Sequence, residues 1–419
     1  MSKSRIIIYL LMVLMTMHLL PISYFTGIFT LVILIVVLFT GNLAARLKGL
    51  FRNKLFWVLI TPFLVYALSL LLSEDLQVGW KQLEIGLSIL TFPILIGLTD
   101  LDRKDILLFL KLMVLLIALL PVLGFAHQYS IFQEVNDTGV FYNDNLVSIF
   151  EKQAVYYGFF INIALLTLFI LWLQGEIRSK TAGIIGIFAF FLLVWSQYFL
   201  ASRIAIALSV LIIITFAVLF MMRRLSRMQM VIFSVGLILS TLLLVVSFPK
   251  VLKRFQSIEH VQYRFDNPNP INHFNGEIKK ENWNGLNTRL AIWECAIETI
   301  QQQPFLGHGV GDAQRELYTI YREKNFILAK ASNYDTHNQY LHFALVGGVI
   351  GFIAFLGHLL FLVRYSFLKK NWLLLGVLLI YMVTCLTENV LGRNQGLVFI
   401  SLLLSLLTYF SGRLSKKID

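Results

Sequence analysis

A chain that runs again and again for about twenty residues without a charge has few folds open to it. That is the length a helix needs to cross the hydrocarbon of a bilayer. Residues 154–173, AVYYGFFINIALLTLFILWL, form one such run, and residues 204–220, IAIALSVLIIITFAVLF, form another. Lipid offers an open backbone no partner, so such spans must be helices or closed barrels. The alternation of a membrane barrel, in segments of about ten residues, is missing. The chain therefore reads as an all-α polytopic membrane protein. Its composition agrees: 58% of residues are hydrophobic and 14% charged, against about 25% charged in soluble domains.

Apolar runs and their breaks place twelve transmembrane helices, at about 6–22, 24–40, 55–72, 84–99, 106–125, 153–173, 183–199, 203–221, 229–248, 337–363, 372–388 and 394–410. Lys3 and Arg5 precede the first, as in a signal peptide. No small-residue cleavage site follows and a second span comes at once, so it reads as a membrane helix. Lys and Arg crowd alternate short loops: Arg46, Lys48, Arg52 and Lys54, then Arg103 and Lys104, Arg178 and Lys180, Arg223, Arg224 and Arg227, Arg364, Lys369 and Lys370, and Arg413, Lys416 and Lys417. The other loops hold little beyond Lys81, Lys152, Arg203 and Arg393. The positive-inside rule puts the crowded set, and both termini, in the cytoplasm.

The chain then has three parts. Residues 1–248 carry nine spans, 249–335 form a large outer loop, and 336–419 carry the last three spans. Topogenic charge explains most of the net +12. No basic run with interleaved aromatics suggests nucleic acid as a partner. Membrane lipids are the expected surroundings. Cys295 and Cys385 have neither disulfide nor metal spacing.

A structureless loop as long as 249–335 would be unusual. Within it, 286–303 places Leu286, Leu290, Trp293, Ile297 and Ile300 on one helical stripe, and Pro304 ends that helix. A second helix is expected near 312–328, with Asp312 as its N-cap. The stretch 264–285 is rich in Asn, Pro and Gly and reads as irregular.

Polar residues that spans do not need collect on the outer side. Arg203 follows the break SQYFLASR, against the positive-inside preference; snorkelling at a helix end is its plain alternative. Arg289 flanks the apolar stripe of 286–303, where an exposed Arg would be ordinary. GHGVGDA, with Gly309 and Gly311, is a glycine turn before a helix and offers amides to a phosphate. It lacks the Lys-Ser/Thr of a nucleotide loop, and a tight turn alone would also need glycine. DTHNQYLH opens the tenth span. His337 holds or releases a proton near neutrality, and Asn338 and Gln339 suit a hydroxyl-rich ligand. Capping by Asp335 or Thr336 would explain one polar residue there, and His342 reads as packed. Glu388 and Arg393 lie in the last outer turn, either paired with each other or extending a polar site. Taken together, cations and a histidine on one face suit a diphosphate ester with a proton to move. No acidic pair or His/Cys cluster suggests a metal, and no cofactor is expected.

Three stretches carry a family resemblance: SRIAI at 202–206, NTRLAIWECAIETIQQQPFLGHGVGD at 287–312 and THNQYLHFALVGGVIGFIAF at 336–355. In order and spacing they resemble the O-antigen ligase and O-antigen polymerase superfamily of bacterial envelopes. The family pattern is an Arg before a late span, then Arg, Trp, Pro and a Gly-x-Gly-x-Gly turn in the large loop, then a His-Asn opening a glycine-bearing span.

The resemblance implies a metal-independent glycosyltransferase of the bacterial inner membrane with its site on the periplasmic side. Its donor would be a polyprenyl (undecaprenyl) diphosphate-linked glycan. A ligase passes the glycan to lipid A-core; a polymerase passes it to another repeat unit. Arg203 and Arg289 would match the family arginines that meet the diphosphate, and His337 the histidine that serves the acceptor. Inversion at the transferred sugar is expected. A lipid-linked oligosaccharide transporter is the reading from another class. It would need ionisable residues deep in the spans, where Lys111, near an end, is the main exception.

Overall fold

The computed structural model describes residues 3–22, 25–39, 42–224, 265–266 and 283–414. The expected span 229–248 and most of the irregular stretch 264–285 lie outside the described residues. The first part holds α1 (Lys3–Leu19), α2 (Thr26–Leu38), α3 (Leu43–Arg52), α4 (Lys54–Ser69), α5 (Leu76–Gly97), α6 (Arg103–Val135), α7 (Ala154–Leu173), α8 (Lys180–Leu200) and α9 (Arg203–Arg224). The second holds α10 (Gly285–Gln302), α11 (Ala313–Glu323), α12 (Ile327–Ser332), α13 (Gln339–Leu368), α14 (Trp372–Cys385), α15 (Asn394–Tyr409) and α16 (Ser411–Leu414).

Among the described residues, six helices are long and apolar enough to cross a membrane: α4 with the turn after it, α6, α7, α8, α9 and α13. Shorter apolar helices lie within α1 and at α14 and α15. The chain is thus a helical membrane protein.

A helix apolar all round must be enclosed. α7 meets that demand: 89% of its apolar window is buried, with α6, α8, α9 and α14 packed around it. Phe160 of α7 lies 4.3 Å, centroid to centroid, from Phe399 of α15. α9 is the opposite case, with 17% of its window buried.

The bundle has two chemically different ends. At one, Arg103 pairs with Glu176 at 2.9 Å and Lys111 donates to the Glu176 carbonyl at 3.0 Å. Arg413 pairs with Asp100 at 2.6 Å, and Arg46 donates to the Val37 and Leu98 carbonyls. The other end carries Arg203, Arg289 and Arg393 and most of the features below.

Several elements depart from the expected bounds. α5 starts at Leu76, ahead of the apolar run, because the Asp75 carboxylate caps it by accepting Val78 N–H at 2.9 Å. α6 continues past 125 to Val135 as a polar helix. Its Gln128 donates to Asn145 O at 2.6 Å and Ser148 Oγ at 3.0 Å, so the extension supports the segment that follows. α10 forms where expected, with Asn284 as cap, but its buried face is not the large apolar stripe. Asn287, Ala291, Ile292, Cys295, Ala296 and Thr299 face inward, while Ile297 is exposed. Small side chains let α10 approach α11 and α13 closely, while Trp293 and Ile300 of the bulky stripe pack half-buried at the edge of the core. The second expected helix is split into α11 and α12. Asp312 does not cap it; its carboxylate accepts Glu74 N–H at 2.6 Å and Asp75 N–H at 3.1 Å, in the turn before α5.

α13 is broken at Gly348, whose φ is 61°. The break frees the Leu345 and Val346 carbonyls and the Val349 amide from their helical partners. The turn after α10 takes up all three. His308 N–H donates to Leu345 O at 2.9 Å, Gly309 N–H to Val346 O at 3.0 Å, and Val349 N–H to Pro304 O at 2.8 Å. The same turn reaches the start of α5 through Gly311 N–H on Ser73 Oγ at 2.9 Å. A loop hairpin is thereby stitched into a membrane helix.

Candidate functional site

At this end a cleft of about 570 Å³ opens. That volume falls in the range of about 300–1,000 Å³ usual for small-ligand pockets. Its lining includes Arg203, Gly285, Leu286, Arg289, His337 and Glu388, with Asn143, Asp144 and Gln153 from the segment before α7. The first residues of α7, α9 and α10 also line it. Helix N-termini carry partial positive charge and unpaired amides, so their convergence favours an anion.

Arg203 is placed by the tight turn between α8 and α9. Ala201 ends α8 in a left-handed conformation, φ 49°, and α9 starts at Arg203. Among the described residues its guanidinium has no hydrogen-bond acceptor. Arg289, one turn into α10, is anchored. Its Nε donates to Thr387 O at 3.0 Å, Nη1 to Gly285 O at 3.1 Å and Nη2 to Glu388 Oε1 at 2.5 Å. A guanidinium has five N–H donors, so among the described residues Arg289 keeps two for a ligand. Both guanidinium groups flank Gly285: a Cβ there would lie 3.4 Å from Arg289 Nη1 and 3.7 Å from Arg203 Nη2. Two like charges held this close repel one another, an arrangement that an anion between them would relieve.

Glu388 is almost fully buried, yet ionised. Burial alone would raise its carboxyl. The His337 hydrogen bond and the Arg289 charge outweigh that and hold it below the ordinary glutamate value. Its Oε2 lies 3.3 Å from His337 Nδ1. A proton on Nδ1 serves that contact, which leaves Nε2 as the basic nitrogen.

His337 is not the first residue of a helix. Its φ of 42° turns it aside from the axis, a conformation rarely adopted by residues with a side chain. The neighbouring DTHN residues hold it there. Asp335 Oδ1 accepts His337 N–H at 2.8 Å, and the Thr336 hydroxyl donates to Asn338 O at 3.0 Å. Asn338 Oδ1 accepts Tyr340 N–H at 2.9 Å and Leu341 N–H at 3.1 Å. Capping of α13 therefore falls to Asn338, rather than to Asp335 or Thr336 as the sequence suggests.

The structure brings Arg203, Arg289, His337 and Glu388 into one cleft. Arg393 stands one step behind: its Nη2 is 3.7 Å from Asp335 Oδ2. The expected Arg393–Glu388 pair does not form, because Glu388 is already taken from both sides. Asn338 and Gln339 do not line the cleft. Asn338 is the cap, and the buried Gln339 accepts Leu391 N–H at 2.6 Å through Oε1. Gly309 and Gly311 do not line it either; their amides bond α13 and Ser73, which is the tight-turn alternative. Sequence reading overlooks Asn143, Asp144 and Gln153. The polar run VNDTGVFYNDN after α6 was the available signal.

Fold and site together define a polytopic membrane protein with a cationic, histidine-bearing cleft at one end of its bundle. Residues 163–356 match the O-antigen ligase family, which supports the resemblance to the O-antigen ligase and polymerase superfamily. The matched region holds Arg203, Arg289 and His337; Glu388 and the segment before α7 fall outside it. No curated protein matches the chain.

Proposed function

We propose that the protein is a membrane glycosyltransferase of the O-antigen ligase type. It transfers a glycan from polyprenyl diphosphate to a sugar of lipid A-core, at the periplasmic face of a bacterial inner membrane. The observation that carries this reading is the guanidinium of Arg203, without an acceptor among the described residues, in a cleft shared with Arg289 and the His337–Glu388 pair. The loop charges set the orientation: the positive-inside rule puts the Arg103 and Arg413 end, and both termini, in the cytoplasm.

The diphosphate sits between Arg203 and Arg289, against the N-termini of α9 and α10. The low burial of α9 leaves room for a lipid tail along its apolar length. The acceptor hydroxyl attacks the anomeric carbon from the face opposite the diphosphate, so configuration inverts. The C–O bond to the diphosphate breaks as the new one forms. The hydroxyl proton passes to His337 Nε2. Glu388 orients the imidazole and balances the charge it gains. The two guanidinium groups neutralise the departing diphosphate, so positive charge comes from the chain itself.

Transport is less well supported. Two buried polar residues within the spans serve as structural ties: His358 Nδ1 lies 2.7 Å from Val58 O, and Asn162 bonds Ala205 O at 3.0 Å and Ser209 Oγ at 2.6 Å.

Purified protein in vesicles, given a polyprenyl-diphosphate glycan and lipid A-core, should form the glycolipid. Full activity of both R203A and H337A would overturn the mechanism. In cells, deleting the gene should remove all long glycan from the lipid core. A core left with a single repeat unit would identify a polymerase instead.

A further inference from the structure

The transfer step above uses only part of the cleft. Asn143, Asp144 and Gln153 line it as well, and they come from the segment between α6 and α7, with 3₁₀ turns at Thr138–Phe141 and Asn143–Phe150.

The segment is built in place. Gln128 of α6 holds its Asn145 and Ser148. Phe125 stacks on Trp195 at 3.9 Å and on Phe141 at 6.0 Å, and Tyr142 lies 5.2 Å from Phe199. Gln395 of α15 clamps the far side: its Oε1 accepts Gln153 N–H at 3.0 Å and its Nε2 donates to Glu151 O at 3.2 Å. A segment fixed by three separate helices presents its side chains from a preorganised backbone.

Their chemistry differs from the arginine side. Asp144 spends one carboxylate oxygen on Ala154 N–H at 2.6 Å. Among the described residues its other oxygen has no partner, and neither does the Gln153 side-chain amide. A carboxylate is an acceptor only, and an amide both accepts and donates. Such a set suits hydroxyl groups and repels phosphate. One cleft thus offers cations at one place and hydroxyl-binding groups at another. A ligand that satisfies both is anionic at one end and polyhydroxylated at the other.

We infer that Asp144 and Gln153, with Asn143, form a glycan subsite that binds the sugar attached directly to the diphosphate. The inference rests on the donor reading above. It gives the hydroxyl recognition that Asn338 and Gln339 do not supply to residues outside the matched family region. The subsite selects the donor sugar, while Arg203 holds any polyprenyl diphosphate.

The test uses the purified full chain in lipid nanodiscs and two probes. One is undecaprenyl diphosphate without sugar; the other is the same lipid bearing a glycan. D144A and Q153A should each weaken binding of the glycan-bearing lipid about tenfold and leave the bare lipid unchanged. R203A should weaken both. D144N keeps an oxygen for Ala154 N–H, and covers the case in which D144A fails to fold; it should show a smaller loss of the same selective kind. Equal loss for both lipids, or loss for neither, in the Asp144 and Gln153 variants would overturn the subsite while leaving the donor reading intact. If R203A binds both lipids as tightly as the unaltered protein, the donor reading fails and the subsite falls with it.

Discussion

The two ends of the bundle use the same residue types in opposite ways. At the Arg103 and Arg413 end, cations meet carboxylates or carbonyls: Arg103 and Lys111 share Glu176, Arg413 meets Asp100, and Arg46 holds helix-end carbonyls. At the cleft, Arg203 has no acceptor among the described residues, and Arg289 leaves donors unused beside it. Of the carboxylates that accompany them, Glu388 is buried and already bound on both oxygens, and Asp144 spends one oxygen on the start of α7. Pairing at the first end joins neighbouring helices. The second end keeps positive charge unneutralised, an expense that only a bound anion removes.

Substitutions at the two ends should therefore separate activity from stability. The largest effect is expected for R203A, with transfer down by at least about a hundredfold, in line with loss of one charge-stabilising donor. Its melting temperature in detergent should be unchanged. A matched drop in both would merge the two ends. G348A comes next. A Cβ there would collide with the Phe305 carbonyl at a φ of 61°, costing about 1–3 kcal/mol in backbone strain alone. Thermal melting should report it, together with loss of transfer, because the stitch to the loop is broken.

E388Q should lower transfer by about tenfold, as loss of a group that orients the general base, and change the pH dependence of stability. The folded carboxyl lies below its usual 4.5, so its contribution to stability is present above that value and lost as pH falls through the folded value. The melting gap between E388Q and the unaltered chain should be constant near neutrality and close in acid below 4.5. A gap that widens in acid would show the sign to be wrong. The smallest effect is expected for R413A. Its side chain and Asp100 are well exposed, so stability should fall by no more than about 1 kcal/mol, with transfer intact.

Much of this arrangement is legible in the residues. Apolar runs long enough for lipid mark the spans, and Arg203 and His337 stand out because each contradicts its surroundings. The rest depends on partners distant in the chain. Glu388 reads as a partner for Arg393 nearby in sequence, but it meets Arg289 and His337 from elsewhere. Asn338 and Gln339 look like ligand groups, since periodicity does not reveal that one caps a helix and the other binds Leu391 N–H. The α10 stripe marks the helix but does not show that the smaller residues from Asn287 to Thr299 form its fully buried face. Asp144 and Gln153 escape notice because polar residues after a span look like any loop until Gln128 and Gln395 fix them.

The broken α13 also bears on how the chain is made. A carbonyl without a partner in hydrocarbon costs several kcal/mol, and the break exposes two. Their partners, His308 and Gly309, precede α13 in the chain. During synthesis the turn is therefore complete before the span that needs it emerges. The bonded form of the span therefore needs the docked turn, which ties the folding of the loop to that of the helix.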